Sequence, residues 1–327
     1  MIIYREKIDE EKKIYTYLDN KGNVITDKKI LDYINSLPAI PPAYDNVEIF
    51  YTKSPKILFQ GIDKKGRLQQ IYSPKWRDMA DKQKFKSLID FGKKLPQIMN
   101  KITKNIQNKT ITKGKLIAII LRIVTLCGFR LGSLKYQKLY GSVGLITIQQ
   151  KHIKFKKNNS ELHINFIGKK NMPNSCIITD PLIIDEIRLL MMNKHQDDFI
   201  FKYFDKQDKE YKLITANEIN NWLKEFNSNF TSKFFRNFSV NSKFIEIIRN
   251  ITKIPMTESQ RKKHVKEILT ELSCSINNTS TICKKSYLDP DLLKLYIEHP
   301  RKYKSSINDY NADPVKTYIK FLESVHL

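Results

Sequence analysis

The chain has 327 residues, 41% of them hydrophobic, which is enough for a sizeable core divided over one large or two smaller domains. Its 58 Lys and Arg against 34 Asp and Glu leave a net charge of +24, the electrostatic footprint of a protein that meets a polyanion, nucleic acid being the commonest. No apolar run reaches the roughly 18 residues that a membrane span needs, and Met1 to Glu6 lacks the apolar core of a signal peptide, so the expected setting is intracellular.

Residues 1 to about 75 read as β-rich with short helices. Ile14 to Leu18, a turn at Asp19 to Asn23, and Val24 to Thr26 spell strand, turn, strand. Asp27 opens a short helix running to Leu37, stopped by Pro38 and the pair Pro41-Pro42. Val47 to Tyr51 alternates as a strand, and Ile57 to Gly61 and Leu68 to Tyr72 flank the hairpin turn Asp63-Lys64-Lys65-Gly66. Pro74 and the polar run Trp76 to Lys86 read as a linker becoming a helix, which places a domain boundary near residue 80. From there helical spacing takes over, at Phe85, Leu88, Ile89, Phe91 and Leu95 and again at Ile117, Ile120, Leu121 and Val124. The longest apolar stretch, Leu116 to Cys127, is broken by Arg122 and reads as a core helix. One β insertion interrupts: Ile153 to Lys157, a turn at Asn158 to Ser160, Leu162 to Ile167, and a third strand at Ser175 to Thr179, with Lys169 and Lys170 in the second turn. Helices resume over Pro181 to Asn193, Ala216 to Phe226, Val240 to Asn250 and Gln260 to Ser273, and a last one starts at Asp289-Pro290.

Four cysteines, Cys127, Cys176, Cys274 and Cys283, are scattered without zinc spacing and are expected to be reduced thiols filling the core. Ten of the 58 cations are arginine, so a planar, bidentate donor is used sparingly here. Two of the ten, Arg130 in Gly128-Phe129-Arg130-Leu131-Gly132 and Arg236 in Lys233-Phe234-Phe235-Arg236, suit a phosphodiester attacked by a hydroxyl, where charge gathers on two non-bridging oxygens. Arg249 competes with Arg236 for that role. Lys169, directly after Gly168 and with Lys170 as its rival, can protonate the leaving 5′ oxygen. Tyr287, one of 16 tyrosines, follows Lys284-Lys285-Ser286 and supplies a candidate nucleophile. Asn278 offers a neutral donor to a non-bridging oxygen. Gly61 to Arg67 falls short of a phosphate loop, since no Lys-Ser/Thr and no helix follow its glycine.

In this order and spacing, the segments resemble the type IB DNA topoisomerases of the poxvirus and bacterial kind, almost from end to end. Gly128 to Tyr136 looks like the stretch with that family's first catalytic arginine. Val143 to Ile148, Lys151-His152-Ile153 and Phe166 to Lys169 lead to its general-acid lysine. Lys233 to Arg236 falls at the second arginine, and Asn277 to Tyr287 at the nucleophile. Ala39 to Tyr44 and Gly61 to Tyr72 resemble its small β domain. Asn278 stands where poxvirus enzymes carry a histidine and bacterial relatives an Asn.

The resemblance implies an α+β fold. A small N-terminal antiparallel β-sheet domain, 1–80, would clamp DNA. A larger, mainly α-helical catalytic domain of the tyrosine recombinase and topoisomerase IB kind, 81–327, would carry a three-stranded β insertion. It implies a monomer that relaxes supercoiled double-stranded DNA through a 3′-phosphotyrosyl intermediate, without ATP, metal or other cofactor. Catalysis would fall to Tyr287, Arg130, Lys169, Arg236 and Asn278, and DNA contacts to Gln69, Gln70, Tyr72, Lys135, Tyr136, Lys233, Lys284 and Lys285. It also implies a viral source, with the virion or the infected-cell cytoplasm as the setting. The alternative is a tyrosine site-specific recombinase, which uses a similar Arg-Lys-Arg-Tyr set. Recombinases, however, show His-x-x-Arg at the second arginine and have a helical N-terminal domain. A non-catalytic DNA-packaging protein would account for the charge but not for the order of these residues.

Overall fold

Alternating apolar residues build the first sheet: Ile3, Val47, Ile49, Leu58 and Phe59 are buried together beneath Ile34 of a short helix. The computed structural model describes residues 1–9, 11–156, 158, 160–250, 254–307 and 313–326. It divides into two compact units, Met1–Lys84 and Phe85–Leu327. In the first unit, β1 (Ile2–Asp9), β2 (Ile14–Leu18), β3 (Asp45–Phe50), β4 (Ile57–Ile62) and β5 (Leu68–Tyr72) form a five-stranded antiparallel sheet in the order β2-β1-β3-β4-β5. α1 (Lys28–Ser36) is capped by Asp27, whose carboxylate accepts the N–H groups of Lys29 and Ile30. β1 was not foreseen, and Val24 forms an isolated bridge to Leu18 instead of a further strand.

The second unit is mainly helical. α2 (Pro74–Ile106) starts at the proline, within the first unit, and runs on into the second, so the polar run read as a linker becoming a helix is helix throughout. α3 (Lys113–Cys127) is buried on nearly every side, and Gly128 ends it in the left-handed conformation. α4 (Leu134–Tyr140) is short and exposed. β6 (Ile153–Phe155), β7 (Leu162–Ile167) and β8 (Pro173–Ile178) make the three-stranded antiparallel insertion, and a tight turn at Lys169–Asn171 joins the last two. Lys157 and Asn159, expected in the first turn, lie outside the described residues. α5 (Pro181–Met191) is followed by a hairpin, β9 (Lys202–Asp205) and β10 (Glu210–Leu213), that the sequence reading passed over. α6 (Ala216–Lys224), α7 (Lys233–Arg249), α8 (Glu258–Ser275), α9 (Ser280–Ser286), α10 (Pro290–Glu298), α11 (Pro300–Ile307) and α12 (Pro314–His326) complete the unit. α7 begins seven residues before the expected Val240, which puts Arg236 in its first turn, and α11 and α12 extend the chain beyond the helix taken as the last. The class is α+β, an antiparallel sheet unit first in the chain and a mainly helical unit after it. No helix among the described residues is long and apolar enough to cross a membrane.

The expectation of four reduced thiols is overturned at one pair. Cys127, at the end of α3, and Cys176, on β8, are joined in a disulfide with their Cα atoms 5.6 Å apart. A separation of 49 residues leaves no local spacing that would reveal the pair. Cys274 is exposed and Cys283 buried, both as free thiols. Burial pushes the Cys283 thiol up to about 11, with the charge of Arg236 pulling weakly the other way. Cys283 is therefore unreactive near neutrality, since alkylation needs the thiolate. An alkylating reagent at pH 8 is expected to modify one thiol in the native protein, two in denaturant and four after reduction. Four reactive thiols in denaturant without reductant would remove the bridge.

Candidate active site

Two glycines fix the loop that follows α3. Gly128 has φ +61, and a Cβ there would lie 2.7 Å from the Ser275 carbonyl and 2.9 Å from the Ile276 Cα, so its bare backbone lets the loop abut the end of α8. Gly132, with φ +78, lies back to back with Gly144, where an added Cβ would fall 2.6 Å from the Gly144 Cα. Leu145 and Ile146 then donate their N–H groups to the carbonyls of Arg130 and Leu131, both at 2.9 Å. Arg130 is thus held on a rigid, double-bonded loop with its side chain half-buried.

α7 presents the second guanidinium. Arg236 is 5% exposed, and its Nη2 donates to the Ile276 carbonyl at 2.7 Å. Its Cζ lies 4.8 Å from the centroid of the Tyr287 ring, a cation–π contact of the kind that contributes roughly 2 kcal/mol when desolvated. Burial is the chief cause that pulls its pKa down, to about 10; Tyr287 acts against that shift, and the like charge of Arg130 adds to it. Arg236 therefore remains cationic at neutral pH. Its Nε is buried without a hydrogen-bond partner, and so is Nδ2 of Asn278. Buried donors are nearly always satisfied, so each of these two can still take an acceptor. Asn278 Oδ1 meanwhile accepts the Thr279 N–H at 3.1 Å, which aims the NH2 end elsewhere.

Tyr287 caps the C-terminal end of α9, 5% exposed. Asn241, a turn and a half beyond Arg236 on the same helix and 0% exposed, brackets it. The Asn241 Nδ2 donates to the Tyr287 carbonyl at 2.9 Å, and its Oδ1 accepts the Asp289 N–H at 2.7 Å. Asp289 in turn caps α10 through Asp291 and Leu292 and accepts the Tyr318 hydroxyl of α12 at 3.2 Å. Burial, and then that carboxylate, push the Tyr318 phenol well above its ordinary range. The last helix, missed from sequence, therefore steadies the segment two residues from Tyr287.

Arg130 and Tyr287 are each close enough to Arg236 to act on it electrostatically, and Asn278 follows the carbonyl that Arg236 holds by two residues. Arg249, the rival arginine, instead donates to the Thr317 hydroxyl of α12. Lys169 stands on the exposed turn between β7 and β8, where Lys170 and Asn171 take φ of 60° and 57°. Among the described residues Lys169 makes no hydrogen bond to Arg130, Arg236 or Tyr287.

The residues assigned to DNA contact fall into two groups. In the first unit, Gln70 Nε2 donates to Gln60 Oε1 and Tyr72 OH to Gln70 Oε1, both at 2.9 Å, while Gln60 Nε2 reaches Glu48 at 2.8 Å. This polar ladder runs across β3, β4 and β5, with Gln69 tied to Asp63 at its edge and Tyr72 stacked on Trp76 at 4.5 Å. In the second unit, Lys135 and Tyr136 are exposed on α4, Lys233 opens α7, and Lys284 and Lys285 close α9, all toward solvent.

The family model of the eukaryotic DNA topoisomerase I catalytic core matches residues 73–313, and that of the bacterial DNA topoisomerase IB N-terminal domain matches residues 14–63. The chain belongs to the type IB DNA topoisomerases. DNA topoisomerase 1B of Acanthamoeba polyphaga mimivirus is 31% identical over 98% of this chain and 94% of that protein. DNA topoisomerase 1 of rabbit fibroma virus is 25% identical, covering 79% and 77% of the two chains. DNA topoisomerase 1B of vaccinia virus is 23% identical, covering 73% and 72%. This membership of the type IB family decides against the site-specific recombinase.

Asn241 escaped the sequence reading. The signal was its type: an amide in mid-helix competes with the helix backbone and is disfavoured there without a partner. Asn241→Ala leaves a carbonyl and an N–H buried and unmet, so a loss of roughly 2 to 3 kcal/mol is expected in urea denaturation. Lys233→Ala, on the exposed first turn, should stay within about 0.5 kcal/mol.

Proposed function

We propose that the chain relaxes supercoiled duplex DNA by cutting and resealing one strand through Tyr287. The Tyr287 Oη attacks a backbone phosphorus and gives up its proton to water. The P–O5′ bond breaks, and the departing 5′ oxygen takes a proton from Lys169, leaving a 3′-phosphotyrosyl link. The cut strand turns about its intact partner, and the 5′ hydroxyl then attacks the phosphotyrosine to restore the strand. The ester keeps the free energy of the phosphodiester, so resealing needs no nucleotide, and charge neutralisation by guanidinium does the work a metal would otherwise do.

Arg236 Nε and Asn278 Nδ2 donate to one non-bridging oxygen, and Arg130 supports the other. Lys169, on its exposed turn, is free to reach the leaving oxygen once a strand is bound. The first unit serves as a clamp that lays its Gln69, Gln70 and Tyr72 edge on the duplex, and the second as the catalytic domain. Lys135, Tyr136, Lys233, Lys284 and Lys285 meet backbone and groove from the catalytic side. Phosphate contacts dominate such an interface, so affinity falls steeply with salt. The protein acts as a monomer, and with the virus-encoded relatives its setting is the virion or the infected-cell cytoplasm.

The observation that carries this reading is Arg236, whose guanidinium lies over the Tyr287 ring and whose Nε is an orphan donor, with Asn278 Nδ2 a second orphan two residues from the carbonyl that Arg236 holds. Purified protein should relax a supercoiled plasmid in chelator without ATP, and a denaturant quench should trap protein covalently on DNA. Tyr287→Phe is expected to abolish both while still binding DNA; relaxation by that variant would move the nucleophile elsewhere. Lys169→Ala should slow cleavage by about 10² to 10³. A substrate whose leaving 5′ oxygen is replaced by sulfur should recover most of that loss, because a thiolate departs without a proton. A Lys169→Ala defect that sulfur leaves untouched would strip Lys169 of the acid role.

A further inference from the structure

Three segments that bear the proposed chemistry meet at a side chain assigned no role so far. Asn277 is 9% exposed and takes φ +49, a left-handed conformation that favours Gly and Asn. Its Nδ2 donates to the Cys127 carbonyl at 3.1 Å and its Oδ1 accepts the Ser175 N–H at 3.0 Å. The first partner is one of the carbonyls that α3 leaves unmet at its C-terminal end. The second is an N–H on the outer edge of β8, the edge strand of its sheet. One carboxamide therefore satisfies a helix end and a strand edge at once, and a single orientation of the amide does both.

The geometry joins more than two orphans. Three residues past Cys127 comes Arg130; a few residues before Ser175 comes the turn with Lys169; one residue after Asn277 comes Asn278. Arg236 holds the Ile276 carbonyl on the other side. We propose that Asn277 is a positioning residue whose carboxamide locks the Arg130 loop and the Lys169 hairpin to the segment carrying Asn278, so that the groups flanking the phosphate keep one geometry. This inference rests on the proposed function. The disulfide between Cys127 and Cys176 links the same helix end to the same strand, one residue along from Ser175. With the disulfide formed the amide shares the load, and with it reduced the amide is the tie that remains at that point.

The test is single-turnover cleavage with enzyme saturating a duplex substrate, with and without dithiothreitol, beside equilibrium DNA binding and thermal melting. Asn277→Gly keeps the backbone conformation and removes both bonds; Asn277→Asp keeps the acceptor for Ser175 but sets a carboxylate against the Cys127 carbonyl. In reductant Asn277→Gly is expected to cut about tenfold more slowly, the size set by one net buried hydrogen bond. Asn277→Asp should be slower still, with DNA affinity and the fraction of substrate cleaved at the end point close to wild type. Without reductant the Asn277→Gly deficit should shrink to about threefold. Misfolding would lower the end point and not the rate constant. Wild-type rate constants in both variants, or a loss confined to the end point, would overturn the inference while the wild type still forms its covalent adduct. A wild type that forms no adduct would overturn the proposed function and this inference with it.

Discussion

A guanidinium sealed inside the protein has to be held by something other than water, and Arg236 is held by an aromatic face and a backbone carbonyl. Taking a cation out of water costs several kcal/mol unless its surroundings replace the lost hydration. The Tyr287 ring and the Ile276 carbonyl replace part of it, and burial still leaves Arg236 a weaker base than an exposed arginine. Much of the second unit can be understood as the frame that keeps this contact. Asn241 fixes the backbone of Tyr287 to the same helix, Asp289 ties that backbone to α10, and Tyr318 ties Asp289 to α12. The Tyr287 backbone cannot leave α7 without breaking buried hydrogen bonds in a chain that runs on to α10 and α12.

The same frame explains why glycines crowd the Arg130 loop. A rigid helix end, a turn and the tip of α8 must come within van der Waals range of each other, and a single Cβ at Gly128 or Gly132 would collide with backbone. Backbone cannot rotate out of the way as a long side chain can, so the close approach selects glycine at both positions. What the approach achieves is a short path from Arg130, through the 276 carbonyl, to Arg236 and Tyr287.

Features that announce themselves locally were legible in the chain. The hairpin at Asp63 to Gly66, the cap at Asp27, the Asp289-Pro290 helix start and the β insertion all follow from neighbours along the sequence. Arg130, Arg236 and Tyr287 were legible for a different reason, the order of short segments that resemble a known family, and the fold brings these three together. Features made by distant partners stayed hidden. Cys127 and Cys176 have no local pattern, the role of Asn241 depends on residues 46 and 48 positions away, and α12, beyond the helix taken as the last, shows its part only in the bond from Tyr318 to Asp289. The start of α7 was missed because Phe234, Phe235 and Phe238 blur the helical period with a nearly continuous aromatic run, whose rings pack around Phe91.

The arginines divide by what neutralises them. Arg122 and Arg188 pair with aspartates, and Arg5 and Arg261 spend their donors on backbone carbonyls. Arg130 and Arg236 form no ion pair among the described residues, although each acts on the other as a like charge. The groups that pull the Arg236 pKa back up are a phenol and a thiol, with no carboxylate among them. Two cations held near each other without an anion repel, and a fold under selection for stability alone would place an aspartate there. An aspartate would also fill the space and the donors that a phosphate needs, and would repel it. In the proposed function, the counter-ion of this unneutralised pair arrives with the substrate. The role proposed for Asn278 fits that logic, since an amide can donate to a phosphate without adding a third charge to be borne in its absence.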